Sequence, residues 1–325
     1  MIRILGAGVM GLALATELTA RGHAVDLVDP RPTPGPHGCS WWAGGMLAPF
    51  CEGESAEEPV ERHGLAAIGW WDRHTGAVRH RGTLVLALTR DRGELTRFAR
   101  RSRGHRLLDA EGIAALEPDL AGRFGDGQFY ETVAHLAPRI ALAELRRRLE
   151  AGGVAFHAAP PPGRVDQVID ARGLAAGDAL PDLRGVRGEM LVLRCPEVTL
   201  SRPVRLLHPR IPLYIVPRGD GVFMLGATMI ESDRRGPVTA RSVLELLSAA
   251  YALLPAFGEA EVLETGADAR PAFPDNLPRL RRVEGTLHAN GLYRHGFLLA
   301  PAVAGMAADH LETGTIPEFM DEVFA

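Results

Sequence analysis

Three glycines at fixed spacing and one acid carry the first chemical signal in the chain. Gly6-Ala7-Gly8-Val9-Met10-Gly11 is a G-x-G-x-x-G turn, and Asp29 follows it further along. Gly6 permits a tight bend. Gly8 has no side chain to hold a pyrophosphate away from the backbone, and Gly11 allows a helix to sit close on a sheet. Val9 and Met10 open that helix, whose free N–H groups and positive dipole end suit an anion. A carboxylate at Asp29 can accept both hydroxyls of an adenosine ribose. The chemistry these residues predict is dinucleotide binding.

The flanking residues supply the elements that this chemistry needs. Ile2-Arg3-Ile4-Leu5 is long enough for one buried strand, residues 12–19 have helical composition, and Ala24-Val25-Asp26-Leu27-Val28 reads as a second strand ending at Asp29. A secretory leader is the competing reading, since Arg3 precedes an apolar stretch ending in Ala13-Leu14-Ala15. Three glycines in six residues would weaken a leader helix, and Asp29 would go unexplained.

Beyond Asp29, Pro30-Arg31-Pro32-Thr33-Pro34-Gly35-Pro36 is a loop. Cys39-Ser40-Trp41-Trp42-Ala43-Gly44-Gly45-Met46-Leu47-Ala48-Pro49 reads as either a packed helix start or backbone running close to a flat cofactor. Residues 52–61 are acidic and predict a solvated loop or helix start. Helices are expected over 65–71, 91–103 with Asp91 as its cap, 109–116 and 138–151, and strands over 83–88, 127–130, 154–157 and 165–169. The strand at 165–169 runs into a glycine turn at Gly173, as expected on the far side of a nucleotide crevice.

From Arg187 the pattern changes. Short apolar strands over 190–194, 204–207, 213–216, 222–225 and 262–265, separated by Pro/Gly turns, indicate an antiparallel sheet, with a helix over 239–254. The end returns to a strand at 286–289, a Gly-rich turn, and an apolar helix over 297–311. The fold class is α/β (α+β overall). A Rossmann-like domain assembled from residues 1–60, 138–185 and 266–325 would join a mostly antiparallel β domain from 61–137 and 186–265.

Composition excludes several functions. The 325 residues contain 36 Lys+Arg, all arginine, and 40 Asp+Glu, giving a net charge of −4 without a basic run, so nucleic acid is not an expected partner. Without lysine there can be no Schiff base to pyridoxal phosphate and no lysine-bearing phosphate loop. Cys39, Cys51 and Cys195 form neither a disulfide framework nor a redox pair, and the 12 histidines have no metal spacing; a cytoplasmic protein without a metal is expected. No apolar run is long enough to span a membrane.

Seven stretches together resemble the flavin-dependent D-amino-acid oxidase superfamily, most closely the glycine oxidases of thiamin biosynthesis. They are Gly6-x-Gly8-x-x-Gly11, Ala43-Gly44-Gly45-Met46-Leu47-Ala48-Pro49, Arg187-Gly188-Glu189-Met190, Tyr214-Ile215-Val216-Pro217-Arg218, Leu225-Gly226-Ala227-Thr228-Met229, Arg270-Pro271 with Pro274-Asp275, and Tyr293-Arg294-His295-Gly296-Phe297-Leu298-Leu299-Ala300-Pro301. The resemblance implies an FAD-dependent amino-acid oxidoreductase. FAD would be non-covalent, in keeping with the lack of any cysteine after Cys195. It places Arg270 on the substrate carboxylate, Tyr214 beside that carboxylate and Arg294 near substrate and flavin. Ser40, Gly45, Met46, Gly173, Arg294, His295, Gly296, Phe297 and Leu298 join Gly6, Gly8, Val9, Met10, Gly11 and Asp29 in contacting the cofactor. The implied reaction is oxidation of glycine or a small amino acid to the imine, with oxygen reduced to hydrogen peroxide. A homo-oligomer and hand-over of the imine to a thiazole-forming enzyme are further expectations of the resemblance. D-amino-acid or sarcosine-type oxidases, a nicotinamide dehydrogenase and a non-catalytic dinucleotide-binding protein stand as alternatives. Departures from the family pattern are Trp41 and Trp42 where small residues are usual, Asp275-Asn276-Leu277-Pro278, and Asp29 in place of glutamate.

Overall fold

The computed structural model describes residues 1–54, 56–208 and 212–321. Its first layer is a six-stranded sheet in the order Arg279–Val283, Thr286–Asn290, Gln167–Asp170, Ile2–Leu5, Val25–Val28, Ala155–His157. Its pairings are parallel, except that Arg279–Val283 runs antiparallel to Thr286–Asn290. Ile4, Leu27, Ile169 and Leu287 are fully buried in it, as strands covered on their faces require. Helices Val9–Ala20, Pro138–Ala151 and Gly296–Thr313 pack here, contributing Leu12, Leu14, Leu145, Leu299 and Val303 to one apolar core. The same core takes Val60, Ala67, Trp70, Trp71 and Val78 from the stretch that follows the proline-rich loop.

The second layer is a nine-stranded sheet in the order Ile230–Glu231, Arg184–Arg194, Val222–Gly226, Leu213–Gly219, Val204–Leu207, Thr83–Ala87, Asp126–Tyr130, Arg106–Asp109, with Glu261–Ala272 paired to Arg184–Arg194. Its pairings are antiparallel except for Val204–Leu207 against Thr83–Ala87. Helix Ala240–Leu253 covers its core with Leu246, Ala250 and Leu253. A small sheet of Met46–Leu47, Ala134–Leu136 and Val78–Arg79 lies apart from both.

Several local expectations are corrected. Arg184–Arg194 and Glu261–Ala272 are far longer strands than their apolar runs suggested, because they pair along their whole length through polar and glycine residues. Asp91 makes no side-chain cap; Asp109 instead caps its helix by accepting the Gly112 N–H at 2.8 Å. Arg106–Asp109, Ala134–Leu136 and Arg279–Val283 are strands the sequence did not reveal.

Candidate functional site

One cavity of about 920 Å³ runs between the layers. It is lined by every residue singled out from the sequence except Gly11. Gly11 acts beneath the cavity: a Cβ there would collide with the Gly6 carbonyl oxygen, so glycine brings the helix down onto the turn. Gly6 itself has φ +99°, which favours glycine.

At the first end, helix Val9–Ala20 opens without a side-chain cap on Gly8 and without an acid in its first turn. The Val9 N–H reaches Ser40 Oγ at 3.1 Å, bringing the Cys39–Trp42 turn to the helix end. Asp29 accepts the Ala7 N–H at 3.0 Å and the Arg31 N–H at 2.8 Å, so its carboxylate is oriented at the tip of the second strand. Gly173 lies opposite, its carbonyl accepting Asn290 Nδ2 at 2.9 Å. An uncapped helix end, an oriented acid and glycines with no side chain to intrude are the donor set that a dinucleotide requires.

The middle of the cavity is lined by Gly44, Gly45 and Met46. Gly45 has φ +73°, and a Cβ would collide with the Leu136 carbonyl. Arg218, not anticipated as a site residue, holds this stretch. Its Nη1 donates to Leu136 O at 3.0 Å and its Nη2 to Gly44 O at 2.8 Å. Burial pulls its pKa down to about 10, helped by Arg139. Trp41 and Trp42 line the cavity too, and the Arg139 guanidinium stacks over both rings, 4.5 and 5.4 Å from their centres. The Trp42 ring covers Gly266, and its indole N–H donates to Pro36 O at 3.0 Å.

At the far end the charged groups gather. Arg270 comes from Glu261–Ala272, and its guanidinium lies over Gly188, where any Cβ would collide with it. It is half-buried, desolvation lowers its pKa, and Nη1 donates to Thr228 O at 3.2 Å. Among the described residues no carboxylate lies within ion-pair distance of Arg270. Tyr214, on Leu213–Gly219, stands opposite Arg205 in cross-strand register. Burial pushes its phenol up to about 12, so it remains an O–H donor at neutral pH. No hydrogen bond to its hydroxyl is present among the described residues.

Arg294 is differently placed. Its Nη2 pairs with Glu52 Oε2 at 2.6 Å. Glu52 was expected in a solvated loop or helix start; it instead forms part of the cavity wall, with its side chain 12% exposed. Burial opposes its ionisation, but Arg294 and Arg205 outweigh this and hold its pKa below the usual carboxylate value. His295 Nδ1 lies 3.6 Å from the same oxygen, and burial pushes its pKa down to about 4, leaving a neutral imidazole. Arg205, also unforeseen, donates to Cys51 O at 3.1 Å, lies 3.6 Å from Glu54, and sits between the Phe98 and Tyr214 rings. Arg187 and Glu189, from a motif noted in the sequence, form a buried 2.6 Å pair. That pair ties the 234–237 backbone and Thr239, the cap of helix Ala240–Leu253, to the sheet.

Among the described residues no group of three or more His, Cys, Asp or Glu is arranged to hold a metal ion, and no helix is long and apolar enough to cross a membrane.

Comparison with known proteins bears on this arrangement. The family model "FAD dependent oxidoreductase" matches residues 1–310. A Rhizobium etli protein, provisionally named the thiamine biosynthesis oxidoreductase ThiO, is 57% identical over 320 residues, covering 96% of each chain. A glycine oxidase of Pseudomonas aeruginosa is 27% identical over 351 residues, covering 94% of this chain and 93% of its own. The crystal structure of glycine oxidase from Geobacillus kaustophilus superposes with a TM-score of 0.80 at 23% identity, covering 100% of this chain and 96% of the other.

Proposed function

Since the chain belongs to the FAD dependent oxidoreductase family, and FAD is the cofactor its cavity fits, we propose that it oxidises glycine, or a small amine with one carboxylate, to the corresponding imine. The observation that carries this reading is Arg270, a half-buried guanidinium that lines the same cavity as Tyr214 without a carboxylate of its own among the described residues.

In this reading the six-stranded layer, with the helices packed on it, binds FAD, and the nine-stranded layer, which carries Tyr214 and Arg270, shapes the substrate end. Gly6, Gly8, Val9, Met10 and Ser40 hold the pyrophosphate end, with Asp29 at the ribose. Gly173 would face the nucleotide from the other side, and Gly45, Met46 and the turn from His295 to Leu298 would hold the flavin ring. FAD held there would supply a two-electron acceptor for the substrate's Cα–H bond, with oxygen as the final oxidant and hydrogen peroxide as its product.

The protein's own contribution is positioning. Arg270 takes the carboxylate by two parallel charge-assisted hydrogen bonds, which fixes the orientation of Cα. Tyr214 donates its O–H to the same carboxylate. Arg294 forms the wall, held by Glu52. A substrate whose amine is neutral needs no side-chain base, in keeping with a neutral His295 and protonated thiols at Cys39 and Cys51, raised by burial to about 11 and 12. The imine hydrolyses in water, so direct hand-over to a thiazole-forming enzyme in the cytoplasm would preserve it. The relative named for thiamine biosynthesis supports that setting.

The test is the visible spectrum of the FAD-loaded protein, with glycine, sarcosine or D-alanine added without oxygen, followed by peroxide measurement on admitting air. Bleaching by glycine with peroxide formation is expected. A spectrum unchanged by all three amines would overturn the reading.

A further inference from the structure

Glu52 lies against two of the groups that close the substrate end. Its Oε2 is 2.6 Å from Arg294 Nη2 and 3.6 Å from His295 Nδ1, and its side chain is 12% exposed. The other acid of this wall, Glu54, faces Arg205 at 3.6 Å. Two of the three guanidinium groups at this end therefore face carboxylates already present in the protein. The third, Arg270, has none within ion-pair distance among the described residues, and it is close enough to Arg294 for their charges to repel. Among the described residues, Arg270 is thus the guanidinium of this trio that faces no carboxylate.

We infer that Glu52 is a positioning and specificity-determining residue: it ties Arg294 back so that the pocket takes substrates with one carboxylate and discriminates against those with two. This rests on the reading of Arg270 as the carboxylate clamp. A ligand with one carboxylate takes up the charge of Arg270, whereas among the described residues a second carboxylate meets guanidinium groups already facing Glu52 and Glu54. Buried charge pairs earn selectivity in this manner, by leaving the wrong ligand's charge unpaired. The sequence showed nothing of this, because Glu52 and Arg294 are 242 positions apart and the acid sits in an otherwise polar stretch.

The experiment titrates the FAD-loaded protein with acetate and with malonate and follows the flavin absorption spectrum. In the wild type, acetate should perturb the spectrum and malonate should bind more weakly. Glu52→Gln removes the carboxylate that Arg294 faces at 2.6 Å, so malonate affinity should rise about tenfold or more relative to acetate, the size of one added charge-assisted contact. Glu52→Gln with Arg294→Gln together should return the malonate-to-acetate ratio to within about threefold of wild type, since the added cation is gone while Arg270 remains. Glu52→Asp, which keeps the charge, should also keep the ratio. An unchanged ratio in Glu52→Gln would overturn the inference. So would a loss of acetate binding of about tenfold or more in the double variant, because Arg294 would then have been holding the carboxylate all along. Failure of the underlying clamp reading looks different: Arg270→Met would then leave acetate binding by the wild-type wall intact.

Discussion

Replacing Arg270 by methionine separates function from stability. The guanidinium is half-buried, with a hydrogen bond to Thr228 O at 3.2 Å and no carboxylate partner among the described residues. A charge held this way is partly desolvated, in keeping with its lowered pKa. A substrate carboxylate supplies the missing partner, and each charge-assisted hydrogen bond is worth about 1.5–3 kcal/mol. Two parallel bonds, less the solvation they replace, amount to about 3–4 kcal/mol, so kcat/KM for glycine should fall roughly 150- to 1000-fold, mainly through KM. Stability should move the other way or not at all, because methionine keeps much of the volume and removes the unneutralised charge. The assays are steady-state peroxide production across glycine concentrations and a thermal melt of the FAD-loaded variant. A kcat/KM within about fivefold of wild type, or a Tm lowered by more than about 4 °C, the equivalent of losing roughly 3 kcal/mol in a chain of this length, would refute the reasoning and make Arg270 a structural residue.

Other substitutions test neighbouring parts of the site. Tyr214→Phe should raise KM for glycine about tenfold while leaving the flavin spectrum intact, as expected for one hydrogen bond. Gly188→Ala should reproduce much of the Arg270→Met kinetic defect without touching Arg270, because the added Cβ meets the guanidinium; wild-type kinetics would show that the arginine has room to move. Asp29→Ala should weaken FAD binding by about tenfold or more in a fluorescence titration of apoprotein, through loss of the ribose acceptor and of the bonds from Ala7 and Arg31. His135, with a pKa pushed down to about 4 by burial and by Arg218, is neutral in the fold but charges below its ordinary value of 6.5 when unfolded. The unfolded chain binds the extra proton between pH 6.5 and 4, so stability is full above 6.5 and falls as pH drops toward 4, by up to about 3 kcal/mol. Melts of His135→Gln over that range should show a flatter pH dependence than wild type.

The nucleotide half of the site was legible because its signal is local. Gly6, Gly8, Gly11 and Asp29 sit in one strand–turn–helix–strand unit, and the structure keeps it almost residue for residue. Arg270 and Tyr214 emerged only through several scattered motifs taken together, and the structure brings both to the same cavity. Glu52, Arg205 and Arg218 were missed. An acid in a polar stretch and arginines in a chain whose basic residues are all arginine carry no local mark. Their roles arise from partners such as Cys51 and Gly44, which lie 154 and 174 positions away. The lengths of Arg184–Arg194 and Glu261–Ala272 were hidden for a related reason: strand pairing stabilises backbone that apolar patterning does not mark.

The strand Leu213–Gly219 carries Tyr214 near one end and Arg218 near the other. In the proposed reading the first faces the substrate; the second grips the carbonyls of Gly44 and Leu136 in the stretch proposed to face the cofactor. A shift of this strand cannot alter one grip and spare the other. Occupancy of the two halves of the cavity is therefore thermodynamically reciprocal: whatever factor a bound carboxylate adds to the retention of FAD, FAD must add to the retention of that carboxylate. Where that factor favours binding, the apoprotein is the weaker receptor for the substrate, and bound substrate opposes loss of the flavin.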